Sequence, residues 1–306
     1  MRPFLAPTPL VRSEALSRAL AAEIFLKNET VSPVASFKAR GALVELLRAR
    51  DTAPLRGAVT SSTGNHGQGV AWAARELDIP AWVFLPRGAL AVKRAMIASF
   101  GATIRDEGAD IDEAKDAARD FAAREGLAFV DDGEGLGVME GGGTVGLEVA
   151  EAAPGLDALY VPMGSGSLAA GSAAAAKALG VARVVAAQAK GSPAMVESFR
   201  ARRPVERPIE TIADGLVCRV PAALALAGLL AFVDDATLAT DAELLAGVRT
   251  LAESAHALVE PSGAAGLVAA WRERERNAGR RVAIVLTGSN VSPEALRLAL
   301  DGPPLF

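Results

Sequence analysis

Short apolar runs alternate with longer amphipathic segments along most of the chain. The apolar runs that are typical of buried strands cover residues 24–26, 58–60, 81–85, 128–130, 158–162, 184–187 and 282–286. Between them, apolar residues recur every three to four positions, as in residues 69–77, 112–124 and 244–258, which predicts amphipathic helices. Because strands and helices alternate, we predict an α/β protein with two parallel-type sheets and helices on both faces.

The middle of the sequence forms a group of its own. Strands expected near residues 58, 81, 102 and 128 alternate with helices between about residues 52 and 137. Residues 132–137 (D-G-E-G-L-G) are rich in glycine, and a mobile connection is expected there. We predict a smaller domain of residues 52–137, inserted into a larger domain of residues 1–51 and 138–306.

Composition and charge narrow the class of protein. Hydrophobic residues are 51% and charged residues 22% of the 306 residues, the balance of a soluble protein with ample core. The net charge of -4 argues against nucleic acid as the main partner. No stretch approaches the roughly 20 apolar residues of a membrane span, so no membrane partner is expected.

The number of cysteines indicates the cellular compartment of the protein. The single cysteine, Cys218, excludes an internal disulfide and a cysteine-rich metal site, and it fits a reducing environment. Residues 1–10 lack the long apolar run of a secretory signal. We therefore expect a cytoplasmic protein.

Lys38 is the first candidate for a catalytic residue. It lies in S-F-K-A-R-G (residues 36–41), just before a helix expected at residues 42–48. The positive end of a helix dipole and the like charge of Arg40 both favour a neutral, nucleophilic amine. A lysine at a helix start is more often an ordinary surface residue, so both interpretations stay open on this segment alone.

The second candidate is the polar loop at residues 61–69 (S-S-T-G-N-H-G-Q-G), between a strand and a helix. Backbone N–H groups at a helix start favour an anion such as a carboxylate or phosphate, and Ser62, Thr63 and Asn65 add neutral donors. His66 could act as a base, but a buried, hydrogen-bonded residue that shapes the loop is favoured.

Two further loops follow predicted strands. In G-S-G-S-L (residues 164–168), the glycines allow several N–H groups to converge on one phosphate. A dinucleotide would require G-x-G-x-x-G and an acidic residue after the next strand, which instead ends in Gln188. Thr287 places a hydroxyl after the strand at residues 282–286, where α/β proteins bind ligands.

Together these segments resemble the fold-type II pyridoxal phosphate (PLP) enzymes, and specifically the serine/threonine dehydratase and serine racemase family. The resemblance extends over nearly the whole chain. Its motifs are T-P-L (8–10), S-F-K-A-R-G (36–41), S-T-G-N-H-G-Q-G (62–69), G-G-T (142–144), G-S-G-S-L (164–168), T-I-A-D-G (211–215), E-P-S-G-A (260–264) and T-G-S-N (287–290).

The resemblance implies a tryptophan synthase β-like fold, PLP as cofactor and a role for each motif. Lys38 would be the Schiff-base lysine, and the small domain would lie on the substrate side. The other cofactor-binding residues would be Phe37, Asn65, Gly164, Ser165, Gly166, Ser167, Leu168, Gly215, Glu260 and Thr287. The substrate carboxylate would be held by Ser62, Thr63, Asn65 and His66. The family also suggests a homodimer.

The implied reaction removes water from a β-hydroxy amino acid and gives a 2-oxo acid and ammonia. Lys38 would remove the α-proton. Thr287, a neutral hydroxyl at the pyridine nitrogen, makes the ring a weaker electron sink than an aspartate would, which suits elimination. The sequence leaves the substrate open among serine, threonine, a hydroxyaspartate and a bulkier 3-hydroxy amino acid.

Departures from the family pattern leave alternatives. Ser165 and Ser167 replace two glycines of the phosphate loop, and their hydroxyls can still bind phosphate. Gln188 and Ala194 stand where racemase-like members carry metal-binding acids, so no metal is predicted. Thr63 stands where serine racemase has a catalytic serine, which makes Thr63 a second catalytic candidate.

Three other functions stay open. An amino-acid racemase with side dehydratase activity is the main alternative. A β-replacing transferase is less favoured, because that group carries T-S-G-N-T-G where this chain has G-N-H-G-Q. A PLP-binding protein without catalysis is the least favoured.

Overall fold

The computed structural model describes residues 3–89 and 91–306. The chain divides into two compact units. The small unit comprises the chain up to Ala6 together with Lys38–Gly141, and the large unit comprises Pro7–Phe37 and Gly142–Phe306. Each unit contains one sheet, and the predicted α/β class with two parallel-type sheets is confirmed.

The strands and α-helices of the described residues alternate along most of the chain. The strands are β1 (Leu10–Arg12), β2 (Glu23–Asn28), β3 (Ala58–Ser61), β4 (Ala81–Leu85), β5 (Thr103–Asp106), β6 (Ala128–Phe129), β7 (Ala158–Pro162), β8 (Arg183–Ala189), β9 (Asp235–Ala239) and β10 (Arg281–Leu286). The helices are α1 (Glu14–Ala19), α2 (Lys38–Thr52), α3 (Asn65–Glu76), α4 (Ala91–Ala98), α5 (Ile111–Glu125), α6 (Leu136–Ala152), α7 (Ser167–Ala178), α8 (Ala194–Ala201), α9 (Ala223–Phe232), α10 (Asp241–Ala255), α11 (Ala265–Arg272), α12 (Arg274–Asn277) and α13 (Pro293–Asp301).

The small unit is built on four parallel strands in the order β5-β4-β3-β6. Successive residues of β4 point to opposite faces, so Val83 and Phe84 enter different apolar clusters. Phe84 packs with Phe121 of α5, whereas Val83 packs with Ile97 of α4. Helices therefore cover both faces, as the alternation predicts.

The large unit is built on six strands in the order β1-β2-β10-β7-β8-β9. Only β1 runs antiparallel to its neighbour. The central strands are buried, and Ile284 of β10 pairs with Leu26 of β2 and Tyr160 of β7. Because β7 and β10 are parallel, the chain leaves both at the same edge of the sheet, which is where Gly164 and Thr287 follow.

The unit boundaries differ from the predicted domains of residues 52–137 and of residues 1–51 with 138–306. Helix α2 and the first turn of α6 belong to the small unit. The reason is close packing of backbones. A methyl group on Gly69 of α3 would lie 2.8 Å from the Lys38 carbonyl oxygen, and one on Gly141 would lie 2.5 Å from that of Arg40.

Several element boundaries also differ from the sequence-based expectations. Helix α2 begins at Lys38 and α3 at Asn65, each four residues earlier than predicted. Helix α10 ends at Ala255, because His256 adopts a left-handed conformation with φ of 50°. In the connection expected to be mobile, at residues 132–137, Asp131 accepts hydrogen bonds from the N–H groups of Gly133 and Glu134, and α6 already begins at Leu136. Among the described residues, no helix is both long and apolar enough to cross a bilayer.

Candidate active site

Lys38 is the first residue of α2, and its side chain is only 14% exposed. It lies against α3, where the absence of a side chain at Gly69 allows the two backbones to meet. Its Nζ forms an ion pair with the carboxylate of Asp132. Lys38 is therefore a largely enclosed amine with an acidic partner, which differs from an ordinary surface lysine.

The polar segment after β3 lies in the same unit as Lys38. The strand ends at Ser61, and α3 begins at Asn65 with Gly64 as the preceding cap residue. Asn65 and His66 are thus in the first turn of the helix, whereas the sequence pattern placed them in the loop before it. The Ser62 hydroxyl accepts a hydrogen bond from the Gly64 N–H at 3.2 Å. The first turn of a helix presents N–H groups that suit a carboxylate.

His66 is 3% exposed, and its Nε2 lies 3.1 Å from the Val130 carbonyl oxygen. That contact assigns the ring proton to Nε2, which leaves Nδ1 as an acceptor without a hydrogen-bond partner. Burial lowers the pKa of His66, the Asp132 carboxylate partly opposes this, and the Lys38 charge lowers it further. The favoured interpretation of His66 as a buried, hydrogen-bonded residue agrees with this geometry.

Asp132 is the functional candidate that sequence reasoning missed. Its Oδ1 contacts Lys38 Nζ and lies 3.5 Å from His66 Nδ1. Burial raises the pKa of Asp132, but the charge of Lys38 and the hydrogen bond that Lys38 donates lower it more, to about 2. Asp132 is therefore a carboxylate at neutral pH. The sequence holds one signal for Asp132. This residue closely follows β6, and β6 pairs with β3, the strand that precedes the polar segment.

The glycine-rich loop of the large unit joins β7 to α7. Gly166 caps α7 with φ of 98°, a conformation that favours glycine. A methyl group on Gly164 would lie 2.6 Å from the Gly215 carbonyl oxygen. Ser167 and Leu168 form the first turn of the helix, whose N–H groups and dipole suit an anion.

Gly215 and Glu260 meet in the large unit. The Gly215 N–H donates a hydrogen bond to Ser262 Oγ at 2.9 Å. A methyl group on Gly215 would lie 3.1 Å from Glu260 Oε1, so the carboxylate of Glu260 closely approaches the glycine. The Glu260 N–H in turn donates to the Gly288 carbonyl oxygen at 3.0 Å.

Thr287 follows β10 and is 4% exposed. Its carbonyl oxygen accepts a hydrogen bond from the Phe37 N–H at 3.0 Å. Its hydroxyl makes no hydrogen bond with another described residue, so it can serve a ligand. The large unit thus gathers Phe37, Gly164, Gly215, Glu260 and Thr287 at the carboxyl edge of its sheet.

A family model described as pyridoxal-phosphate dependent enzyme matches residues 1–288. The chain belongs to this family. An L-threonine ammonia-lyase of Thermotoga maritima is 34% identical over 288 residues, covering 93% of this chain and 71% of the relative. An L-threo-3-hydroxyaspartate ammonia-lyase of Saccharomyces cerevisiae is 31% identical over 304 residues, covering 99% and 93%.

A solved structure of maize serine racemase superposes on this PLP enzyme with a TM-score of 0.90 at 30% identity. The match covers 98% of this chain and 93% of that one. The expected likeness to serine/threonine dehydratases and serine racemases is therefore confirmed, and so is PLP as the cofactor.

The residues present fit PLP on observations of the structure itself. A glycine loop that opens a helix provides an anion site for the phosphate, and a methyl group on Gly164 would clash there. The Thr287 hydroxyl is an unused hydrogen-bonding group at the adjacent strand end. In the small unit, Lys38 provides an enclosed primary amine. Phosphate, ring nitrogen and aldehyde each have a group of matching chemistry.

Gln188, at which the sequence predicts no metal, is buried and hydrogen-bonded. Its amide donates a hydrogen bond to the Leu216 carbonyl oxygen at 3.4 Å and accepts one from the Val196 N–H at 3.1 Å. In residues 3–89 and 91–306, no three His, Cys, Asp or Glu side chains are grouped to hold a metal ion. Nearby, Cys218 is 8% exposed.

Proposed function

We propose that this PLP enzyme removes water from a β-hydroxy amino acid of the serine or threonine type and releases a 2-oxo acid and ammonia. The relatives named as ammonia-lyases support the reaction class. The substrate class is a small hydroxy amino acid, because these relatives act on threonine and on a 3-hydroxyaspartate.

One observation carries the proposal. The enclosed amine of Lys38 and the first turn of α3 lie together after the carboxyl end of β3, linked through Asp132 and His66. An amino acid needs both groups, an amine that can accept its α-proton and N–H groups that can hold its carboxylate. The small unit contains the two together.

We assign the site residues as follows. Lys38 would hold the cofactor covalently through Nζ, as the Schiff-base lysine, and would take the α-proton of the substrate at that atom. Ser62, Thr63, Asn65 and His66 hold the substrate carboxylate. Asn65 also bonds the 3-oxygen of the cofactor ring. Residues 164–168 hold the phosphate, Phe37, Gly215 and Glu260 border the ring, and Thr287 bonds the ring nitrogen. When bound, PLP supplies an electron sink for cleavage of the Cα–H bond.

Thr287 favours elimination over transamination. A neutral hydroxyl does not hold a proton on the ring nitrogen as a carboxylate would, so the ring withdraws electrons less strongly. In an elimination the electron pair leaves with the β-hydroxyl, and no long-lived carbanion has to be stabilised. In a transamination the electron pair has no leaving group with which to depart.

Racemisation with elimination as a side reaction is a second candidate, and one observation favours it. The hydroxyl of Thr63 makes no hydrogen bond with another described residue and lies in the same turn as Ser62 and Asn65, where it could carry a proton. Elimination stays the main proposal because a threonine is bulkier than the serine used by serine racemase.

The test is a 2-oxo acid assay over a panel of L- and D-3-hydroxy amino acids, with chiral analysis of the remaining substrate. We expect 2-oxo acid from at least one serine- or threonine-type substrate. Inverted substrate without 2-oxo acid would replace the proposal by a racemase.

A second experiment tests Lys38. The Lys38→Ala variant should lose covalently bound cofactor and its visible absorption, whereas Lys190→Ala, which removes an exposed lysine, should keep both. Retention of covalent cofactor in Lys38→Ala would refute the assignment. We also propose a homodimer in the cytoplasm, from the family likeness and the single cysteine. Sedimentation of the loaded enzyme tests the dimer.

A further inference from the structure

We propose that the outer side of helix α9 is a contact surface for a second copy of this chain, whose own α9 packs antiparallel to it across a two-fold axis. This surface, the α9 face, consists of Ala223, Leu224, Ala227, Ala231 and Phe232. The inference rests on the proposed homodimer only for the presence of a second copy, and it is independent of the reaction that the enzyme catalyses.

Helix α9 and its flanking residues contain no polar side chain. Residues 220–233 (V-P-A-A-L-A-L-A-G-L-L-A-F-V) are apolar throughout, with one glycine and one proline among them. A helix at the surface of a soluble protein normally has polar residues on the side that faces water. Helix α9 lacks such a side, because apolar residues continue around its whole circumference.

The rest of the large unit covers only one side of α9. Ala225, Leu226 and Leu229 are buried on that side. A methyl group on Gly166, the cap residue of α7, would lie 3.2 Å from Ala225 Cβ and 3.3 Å from Leu229 Cδ1. This close packing fixes the orientation of α9 and therefore decides which of its residues point outward.

The α9 face is both exposed and apolar. Its five residues follow one another at intervals of one, three or four positions, which is the spacing of a single helix face. Leu224 is 36% exposed and Phe232 is 43% exposed, and Val220, three residues before the helix, is 51% exposed. Large apolar side chains that share one exposed face are typical of an interaction surface, whereas isolated ones are ordinary.

The two ends of α9 carry charges of opposite sign. Arg219 precedes the helix and is exposed, and the Arg207 N–H donates a hydrogen bond to the Arg219 carbonyl oxygen at 3.2 Å. Two arginines therefore adjoin the first end. Asp234 and Asp235 follow the other end, with side chains that are 38% and 53% exposed.

Antiparallel pairing of two copies matches these charges. A two-fold axis perpendicular to α9 places the arginine end of one copy beside the aspartate end of its partner, whereas parallel pairing would place aspartates beside aspartates. The helix dipoles also attract each other in the antiparallel arrangement. An arginine carries five N–H donors and a carboxylate accepts several hydrogen bonds, so contacts within one chain, such as that of Asp235 with Arg183, leave capacity for a partner. Because the surface is complementary to itself, it favours a second copy over a partner of another kind.

The length of α9 sets the extent of the contact. Its 10 residues rise about 15 Å, and a helix is about 10 Å wide. A stable dimer buries roughly 800 Å² on each partner, which is more than one face of this helix provides. The flanking loops that carry Arg219 and Asp235 must therefore take part. With alanines at the centre there are few large anchoring side chains, so we expect dissociation at about micromolar concentration.

The test is sedimentation velocity of the full chain with PLP bound, over concentrations from about 1 to 100 µM. Ala227→Glu places a carboxylate at the centre of the α9 face, opposite the same carboxylate of the second copy. Glutamate is a good helix former at an exposed position, so the fold should be kept. We expect the dissociation constant of the contact to rise at least about tenfold. Ala242→Glu is the matched control, because it changes an exposed alanine of α10 in the same unit and should leave the constant unchanged.

A charge reversal tests the antiparallel arrangement. Arg219→Glu would bring a carboxylate beside the aspartates of the second copy, so we expect the dissociation constant to rise about threefold to tenfold. The double variant Arg219→Glu/Asp235→Lys restores opposite signs at the two ends, and its constant should fall back toward that of the wild type. A double variant that associates more weakly than Arg219→Glu would refute the antiparallel arrangement.

A wild-type chain that stays monomeric over this range would overturn the inference, and so would an Ala227→Glu variant that associates as tightly as the wild type. Leu224→Gln provides a second variant on the α9 face, with the same expectation, if Ala227→Glu does not fold. Wild-type monomer that sediments with phosphatidylserine vesicles would assign the face to a membrane and would also overturn the inference. The outcomes separate from those of the proposed function. Release of 2-oxo acid with an unchanged assembly in Ala227→Glu refutes only the α9 contact, whereas a weakened assembly without 2-oxo acid release refutes only the function.

Discussion

The buried ion pair between Lys27 and Glu148 gives a prediction about the stability of the large unit. The Lys27 side chain is 1% exposed and that of Glu148 is 11% exposed. Lys27 Nζ also donates a hydrogen bond to the Thr8 carbonyl oxygen at 2.7 Å, and the Thr8 hydroxyl donates to Glu29 at 2.5 Å. This network attaches the T-P-L motif to the sheet, a role that the sequence did not suggest.

The perturbation is Lys27→Met, which removes the cation and keeps most of the side-chain volume. It removes the ion pair of the Glu148 carboxylate and the hydrogen bond that Lys27 donates to the Thr8 carbonyl oxygen. Breaking one side of a buried pair costs about 3–5 kcal/mol of unfolding free energy. Glu148→Gln alone removes the same ion pair from the other side and should also destabilise. In the double variant both members of the Lys27–Glu148 pair are replaced together, so we expect it to lose less than Lys27→Met alone, with a coupling energy of about 1–3 kcal/mol.

The assay is urea unfolding followed by tryptophan fluorescence. The chain has three tryptophans, and Trp271 is the one in the large unit, so a Trp72→Phe/Trp82→Phe background reports this unit alone. Shifts of the midpoint at a common slope give the free-energy differences. A loss below about 1 kcal/mol in Lys27→Met, or a double variant less stable than both single ones, would refute the reasoning.

Three further predictions follow from single residues. Burial and a hydrogen bond to a carboxylate raise the pKa of Tyr160, the sole tyrosine, so native protein should show no phenolate absorbance near its usual pH of about 10. The stability that Tyr160 contributes should be lost as pH rises above that value, and a native phenolate signal there would contradict this. Gly69→Ala should reduce the free energies of cofactor binding and of unfolding by about 1–3 kcal/mol in calorimetry, because the added methyl group meets the Lys38 backbone. Gly64→Ala is the control, because a methyl group there meets open space. Gln188→Ala should lower stability by about 1–3 kcal/mol through two lost buried hydrogen bonds, and an unchanged melting temperature would show that they contribute nothing.

The fold was largely predictable where apolar runs are short and bounded. Strands β4 and β7 coincide with the predicted residues, because each is a buried five-residue run that ends at a turn. Strands β1 and β9 were missed. Both lie at the edges of the large sheet, and their partly polar sequences, L-V-R and D-A-T-L-A, lack the pattern of a strand buried on both faces.

Helix starts were less predictable, because a glycine can indicate either a loop or a close contact between backbones inside a helix. Gly67 and Gly69 lie inside α3, although glycine in a helix interior costs about 1 kcal/mol relative to alanine. Close approach explains them, since a methyl group on Gly67 would lie 2.6 Å from the Ser62 carbonyl oxygen. From the sequence alone such glycines indicate a loop, and only the neighbouring backbone shows that they are packing residues.

The residues of the candidate site could likewise be predicted only in part. Motifs such as S-F-K-A-R-G and T-G-S-N are contiguous, so their donors and the amine could be named in advance. The charge opposite Lys38 could not, because Asp132 is 94 residues away along the chain and becomes a neighbour only when β6 pairs with β3. The helix dipole and Arg40 are both visible in the sequence next to Lys38, whereas the carboxylate of Asp132 is not. Contiguous motifs therefore predict which groups do the chemistry, whereas strand order decides which charges lie beside them.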